Sequence, residues 1–131
     1  MPRERLPDRR QAETVDLWHG GQRYHLTVGE YHDGRPGEVF IHGAKPGSDT
    51  DLLCDDIGVL ISRLLQHGDD PAALAAGLGK LGNGQGPASL IGAIGDVLAA
   101  RPPVERRKGR EKWKSWWQRF RKARATKSVS R

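Results

Sequence analysis

The sequence predicts a small α+β domain, a three-stranded antiparallel meander packed by two or three helices, with a basic amphipathic helix after it. Three observations carry that reading. Val15, Leu17, Tyr24, Leu26 and Val28 alternate with polar residues on either side of a Gly-Gly pair, the pattern of a half-buried hairpin. Leu53, Ile57, Leu60, Ile61 and Leu64 recur at spacings of three and four, a helix with one apolar stripe. After Ala100 the composition changes abruptly, because Arg101-Pro102-Pro103 interrupts the chain and cations dominate beyond it.

Residues 1–11 hold four arginines and two prolines among few apolar side chains, which predicts a flexible N-terminal arm. The domain proper is expected over 12–100. Glu13–Trp18 and Arg23–Gly29 are its first strands, and Gly20-Gly21 supplies the positive φ of a tight turn. Asp33-Gly34 and Pro36 mark a second turn, and Glu38–His42 returns as a third strand. Gly43–Ser48 is a loop, after which Asp49 or Thr50 is suited to cap the long helix. Asp51, Asp55 and Asp56 then place negative charge towards its N-terminal half. Gly68 ends that helix. Asp70-Pro71 starts a second over Pro71–Leu78, and Pro87–Ala100 forms a third, reached through a glycine-rich connection at 79–86. Residues 101–103 are a proline hinge, and 104–131 a basic aromatic tail.

Charge divides the chain more sharply than its net +6 suggests. Residues 101–131 carry 13 Lys/Arg against Glu105 and Glu111, a segment of +11 that leaves −5 for residues 1–100. Such a contrast marks an interaction segment. No run approaches the roughly 18 apolar residues of a membrane span, and MPRERLPDRR lacks the apolar core of a signal peptide, so a cytoplasmic protein is expected. One cysteine, Cys54, excludes an internal disulfide framework and any multi-cysteine zinc site.

The stretch from Gly34 to Pro71 resembles the TSCPD domain, the small C-terminal module of vitamin B12-dependent (class II) ribonucleotide reductases that also occurs alone. The likeness rests on Gly34-Arg35-Pro36, Glu38-Val39-Phe40-Ile41, Lys45, Gly47, Gly58, Leu60-Ile61-Ser62 and the Gly68–Pro71 junction, with Arg5-Leu6-Pro7 as lead-in. It covers roughly residues 3–100 and implies the fold of that module. It does not carry over the radical chemistry, which belongs to a large barrel domain that this chain is too short to contain. The family also tends to place cysteines after the second helix, where this chain has Leu81–Gly86 and none. A redox or metal role inherited from them is not transferred.

Candidate chemistry within the domain is sparse. His25 and His42 fall on neighbouring strands and could converge with Glu30 or Asp33, but a metal site needs at least three ligands, and solvated strand histidines are the simpler reading. Cys54 beside Asp55-Asp56 sits where a thiol pKa rises. Asp51 and Asp55 share a helical face at i, i+4, an arrangement that helix-dipole complementarity explains without a cation. Gly43–Ser48 precedes a helix and contains Lys45, yet lacks the ending of a phosphate-binding loop and is followed by aspartates. No catalytic residue, cofactor or metal is assigned.

The tail carries the binding chemistry. Trp113, Trp116, Trp117 and Phe120 share one side of a helix, and Arg106, Arg107, Lys108, Arg110, Lys112, Lys114, Arg119, Arg121, Lys122 and Arg124 cover most of the rest. The leading expectation is nucleic acid, with cations on phosphates and the tryptophans stacking on bases at about 1–3 kcal/mol each. An anionic membrane surface would take the same face, though the aromatic stripe is narrow for an anchor. Docking of the aromatics on the domain or on another copy would leave the cations solvated. The family resemblance implies another role, an accessory or remnant component of a ribonucleotide reductase system acting through a protein partner, whether the reductase or a replication or transcription component.

Overall fold

A computed structural model of the protein describes residues 2–82, 84 and 86–101. The strands are β1 (Ala12–His19), β2 (Gln22–Glu30) and β3 (Pro36–His42), and the helices α1 (Asp49–Gln66), α2 (Pro71–Ala76) and α3 (Leu90–Ala99). The sheet is antiparallel in the order β1-β2-β3, the expected meander. Gly20 and Gly21 both take positive φ, +59° and +80°, which sets the β1–β2 turn and the register Leu17↔Tyr24 and Val15↔Leu26. The basic helix expected over 104–125 lies outside the described residues.

One sheet face is wet and the other dry. Val15, Leu17, Tyr24, Leu26, Val28, Val39 and Ile41 point inward and are buried. Between them, outward-facing residues pair across the strands: Thr14 Oγ1 with Thr27 Oγ1 at 2.8 Å, and Asp16 Oδ1 with His25 Nδ1 at 3.1 Å. α1 packs along β3, and α3 crosses towards β1, so Cys54, Ile61, Leu65, Ala93, Ile94, Val97 and Leu98 close the core from below. α2 packs on α3, where Gly95 lets Ala75 and Leu78 come close.

Several local expectations shift. The cap of α1 is Ser48, whose hydroxyl accepts from the Asp51 N–H; Asp49 sits inside the first turn instead. α2 ends at Ala76, short of Leu78. α3 begins at Leu90 behind a Ser89 cap, not at Pro87, which instead bridges to Lys80. The apolar stripe of α1 is the largest correction. Cys54, Gly58, Ile61 and Leu65 are buried, whereas Leu53, Leu60 and Leu64, which the periodicity places inside, are exposed. The buried face of the helix is rotated because Cys54 and Gly58, poor hydrophobic markers in a sequence, are the residues that meet the sheet.

Residues 3–10, assigned by composition to a flexible arm, are laid against the end of the domain. Glu4 N–H donates to the Gln66 carbonyl at 2.8 Å, Tyr31 Oη donates to the Glu4 carbonyl at 2.6 Å, and the more exposed Arg10 grips the buried Glu38 carboxylate. Arg35 joins the same cluster, pairing with Glu4 at 3.0 Å and Asp33 at 2.7 Å while its guanidinium stacks 4.7 Å from the Tyr31 ring centre. At the same end of the sheet Arg101 is buried and paired with Glu30, which pairs with Pro36 beside the Glu38 position.

The two sheet faces predict different mutational costs. Leu26→Ala, in the centre of the core, is expected to lower unfolding free energy by about 2–5 kcal/mol. Thr27→Ala, one residue on but facing solvent, should cost only about 0.2–1 kcal/mol. Urea denaturation of both variants checks the contrast.

Candidate functional site

The long helix reaches the sheet through a polar seam. A side chain at Gly58 would place its Cβ 3.1 Å from the Val39 carbonyl oxygen, so the helix lies as close to β3 as backbone allows. One turn on, Ser62 Oγ accepts from Val39 N–H at 2.9 Å. After another turn, Gln66 Nε2 donates to the Gly37 carbonyl at 2.9 Å. Residues 58, 62 and 66 fall on one helical face, and that face satisfies the free edge of β3. Beside the seam, an open groove of about 300 Å³ runs between β3 and α1, lined among others by Arg3, Phe40, His42, Asp55, Val59 and Arg63. It mixes two guanidinium groups with exposed aromatic and aliphatic surface.

The reactive side chains near it are engaged. Ser62 serves the β3 backbone. Cys54 is buried, and that burial pushes its thiol pKa up, with Asp51 and Asp55 adding to the rise. It is therefore held as the thiol. Asp51, one of the aspartates at the head of α1, accepts from the Gly47 N–H at 2.9 Å, and the Ser48 N–H donates to the Lys45 carbonyl. Two amides that an anion would need in the Gly43–Ser48 loop thus have acceptors within the chain. His25 and His42 are directly opposed across β2 and β3, as the strand reading allowed, with Asp16 bonded to His25 from the other side. Among the described residues, however, no group of three or more His, Cys, Asp or Glu side chains is placed to hold a metal ion.

The residues assigned to nucleic acid, Arg106 to Arg124 with Trp113, Trp116 and Trp117, lie outside the described residues. What the sequence did not reveal is the pair of anchors at one end of the sheet, Arg10–Glu38 and Arg101–Glu30. Both arginines stand in basic segments whose composition argues for solvent. A weak signal existed in Gly29, which lies opposite Glu38. Any side chain there would collide with the Glu38 carboxyl group that reaches across to Arg10.

Together these features define a small α+β module whose long helix seals a sheet edge and whose polar groups serve the backbone. A family model gives that module its name: the chain belongs to the TSCPD domain family, which matches residues 2–101. It is also similar to vitamin B12-dependent ribonucleotide reductases of Rhodopirellula baltica (47% identical over 66 residues), Agrobacterium fabrum (41%) and Bradyrhizobium diazoefficiens (39%). Each match covers 50% of this chain but only 5–6% of the reductase. No solved structure matches it. No described helix is long and apolar enough to cross a membrane.

Two expectations follow. Ser62→Ala leaves the Val39 N–H without its partner and should lower stability by about 1–3 kcal/mol in chemical denaturation, with Ser62→Thr nearer to wild type. The raised thiol pKa of Cys54 means the folded state holds this proton more tightly than the unfolded chain. Its contribution is complete below the ordinary thiol value of 9.0 and is lost as pH rises beyond it. Unfolding midpoints should be flat from pH 6 to 8 and fall above about pH 9, less steeply in Cys54→Ala. Tyr24 and Tyr31, whose pKa values burial also raises, supply the residual slope.

Proposed function

We propose that this protein is a non-catalytic binding module whose TSCPD domain carries a nucleic-acid-engaging tail, residues 104–131. The observation that carries the reading is the division of charge, +11 beyond residue 100 against −5 before it. Cations at that density neutralise phosphates and release counterions, giving affinity without sequence discrimination. Arg101 is itself held by Glu30, so the cations offered to phosphates are those that follow it.

The relatives favour a second reading. Their similarity is to one small region of B12-dependent ribonucleotide reductases, so this chain would act as an accessory of such a reductase through protein contact, serving deoxynucleotide supply.

Fluorescence anisotropy with labelled single- and double-stranded DNA and RNA separates the two. Full-length protein should bind with an affinity that falls steeply with salt, log K changing by about −0.9 per phosphate contacted on duplex DNA and about −0.7 on single strands. A chain ending at residue 102 should lose that affinity. Absence of binding at low salt, with a reductase retained by the immobilised protein, would replace the first reading by the second.

A further inference from the structure

Four leucines on α1 face solvent: Leu52, Leu53, Leu60 and Leu64, at 57%, 60%, 62% and 41% exposure. Leu53, Leu60 and Leu64, with the half-buried Ile57 among them, form one stripe along the helix, spaced four, three and four residues. It lies about 100° round the helix from the buried Cys54, Ile61 and Leu65. A continuous stripe of this kind, unlike scattered surface leucines, marks a surface built to be covered. We infer that the chain's own Trp113, Trp116, Trp117 and Phe120 cover it.

The point of departure favours this occupant. Arg101 is paired to Glu30, which lies opposite Pro36 in the sheet, and Gln66 at the end of α1 bonds to the adjoining Gly37. The chain therefore leaves the described domain at the C-terminal end of α1. Eleven residues separate Arg101 from Trp113 and reach up to about 36 Å when extended, more than the roughly 27 Å length of this 18-residue helix. The aromatics can thus be laid along the whole stripe.

Charge favours one direction. Asp49 and Asp56 sit four residues before Leu53 and Leu60, so they flank the stripe. A segment returning from the C-terminal end of α1 meets Asp56 and then Asp49 late. Its acids, Glu105 and Glu111, stand early among Arg106, Arg107, Lys108 and Arg110, whereas its late part holds Arg119, Arg121, Lys122 and Arg124 with no acid. The late cations then meet the aspartates. Tethering raises the effective concentration of the segment at the stripe, so a modest contact suffices. The docked aromatics leave the surrounding cations directed outward. The inference concerns the free protein and does not require nucleic acid.

The test compares full-length wild type, Leu60→Glu and Val59→Glu in the absence of nucleic acid, with circular dichroism to verify that each retains its fold. Val59 is equally exposed but lies towards the groove, on the other flank of α1. Docking predicts that Leu60→Glu shifts tryptophan emission to the red and speeds tryptic cleavage between Lys108 and Arg124 by about tenfold, reflecting a larger open population. Val59→Glu should change neither. Identical emission and cleavage in wild type and Leu60→Glu would overturn the inference, as would equal effects of the two variants. Protection that grows with protein concentration would also overturn it, showing that a second copy occupies the stripe.

Discussion

The architecture depends on how closely α1 approaches the edge of β3. A three-stranded sheet has two edges, and an unpaired edge is a site for unwanted strand addition. Here the β3 edge is covered because Gly58 removes the side chain that would hold the helix away, and Ser62 and Gln66 supply the partners that β3 lacks. That approach fixes the rotation of α1. With residues 58, 62 and 66 against the strand, Cys54, Ile61 and Leu65 must enter the core, and Leu53, Leu60 and Leu64 must look out. The exposed leucine stripe and the fold therefore come from one steric choice.

Both termini of the domain are fastened by an arginine from a basic segment paired with a buried glutamate of the sheet, and Arg101 is itself buried. Arg10 reaches Glu38 on β3, and Arg101 reaches Glu30 on β2. The Arg101–Glu30 pair, buried on both sides, adds little net stability, because desolvation offsets much of its attraction, but removing one partner is costly. Its value here lies in position. Arg10 and the Glu4–Arg35 contacts draw the N-terminal residues into the domain, in keeping with a family match that begins at residue 2. Arg101 determines where the strongly basic segment departs.

The sheet was legible in the sequence because alternation over Val15–Leu17 and Tyr24–Val28 has a single interpretation once Gly20-Gly21 marks the turn. The existence and length of α1 were equally plain. Its orientation was not, because periodicity counts leucines and isoleucines, whereas the contact with β3 is made by a glycine, a serine and a glutamine. The cap was missed for a related reason: Ser48, Asp49 and Thr50 are all competent, and only the loop closed by Asp51 onto Gly47 selects Ser48. The family likeness, by contrast, was carried by the residues that make these contacts, Gly58 and Ser62 among them. No reading of pattern could show that a basic arm and a basic exit each contain one arginine paired with a buried glutamate.

Sealing the β3 edge turns a leucine stripe outward, where we infer that it receives the chain's own aromatic segment. Nuclear Overhauser contacts in a methyl-labelled sample of the full chain address this directly. Cross-peaks are expected from the Leu53, Leu60 and Leu64 methyls to the indole protons of Trp113, Trp116 and Trp117, unchanged on dilution. Methyls that show no aromatic neighbour, or cross-peaks that arise only between differently labelled copies, would contradict it.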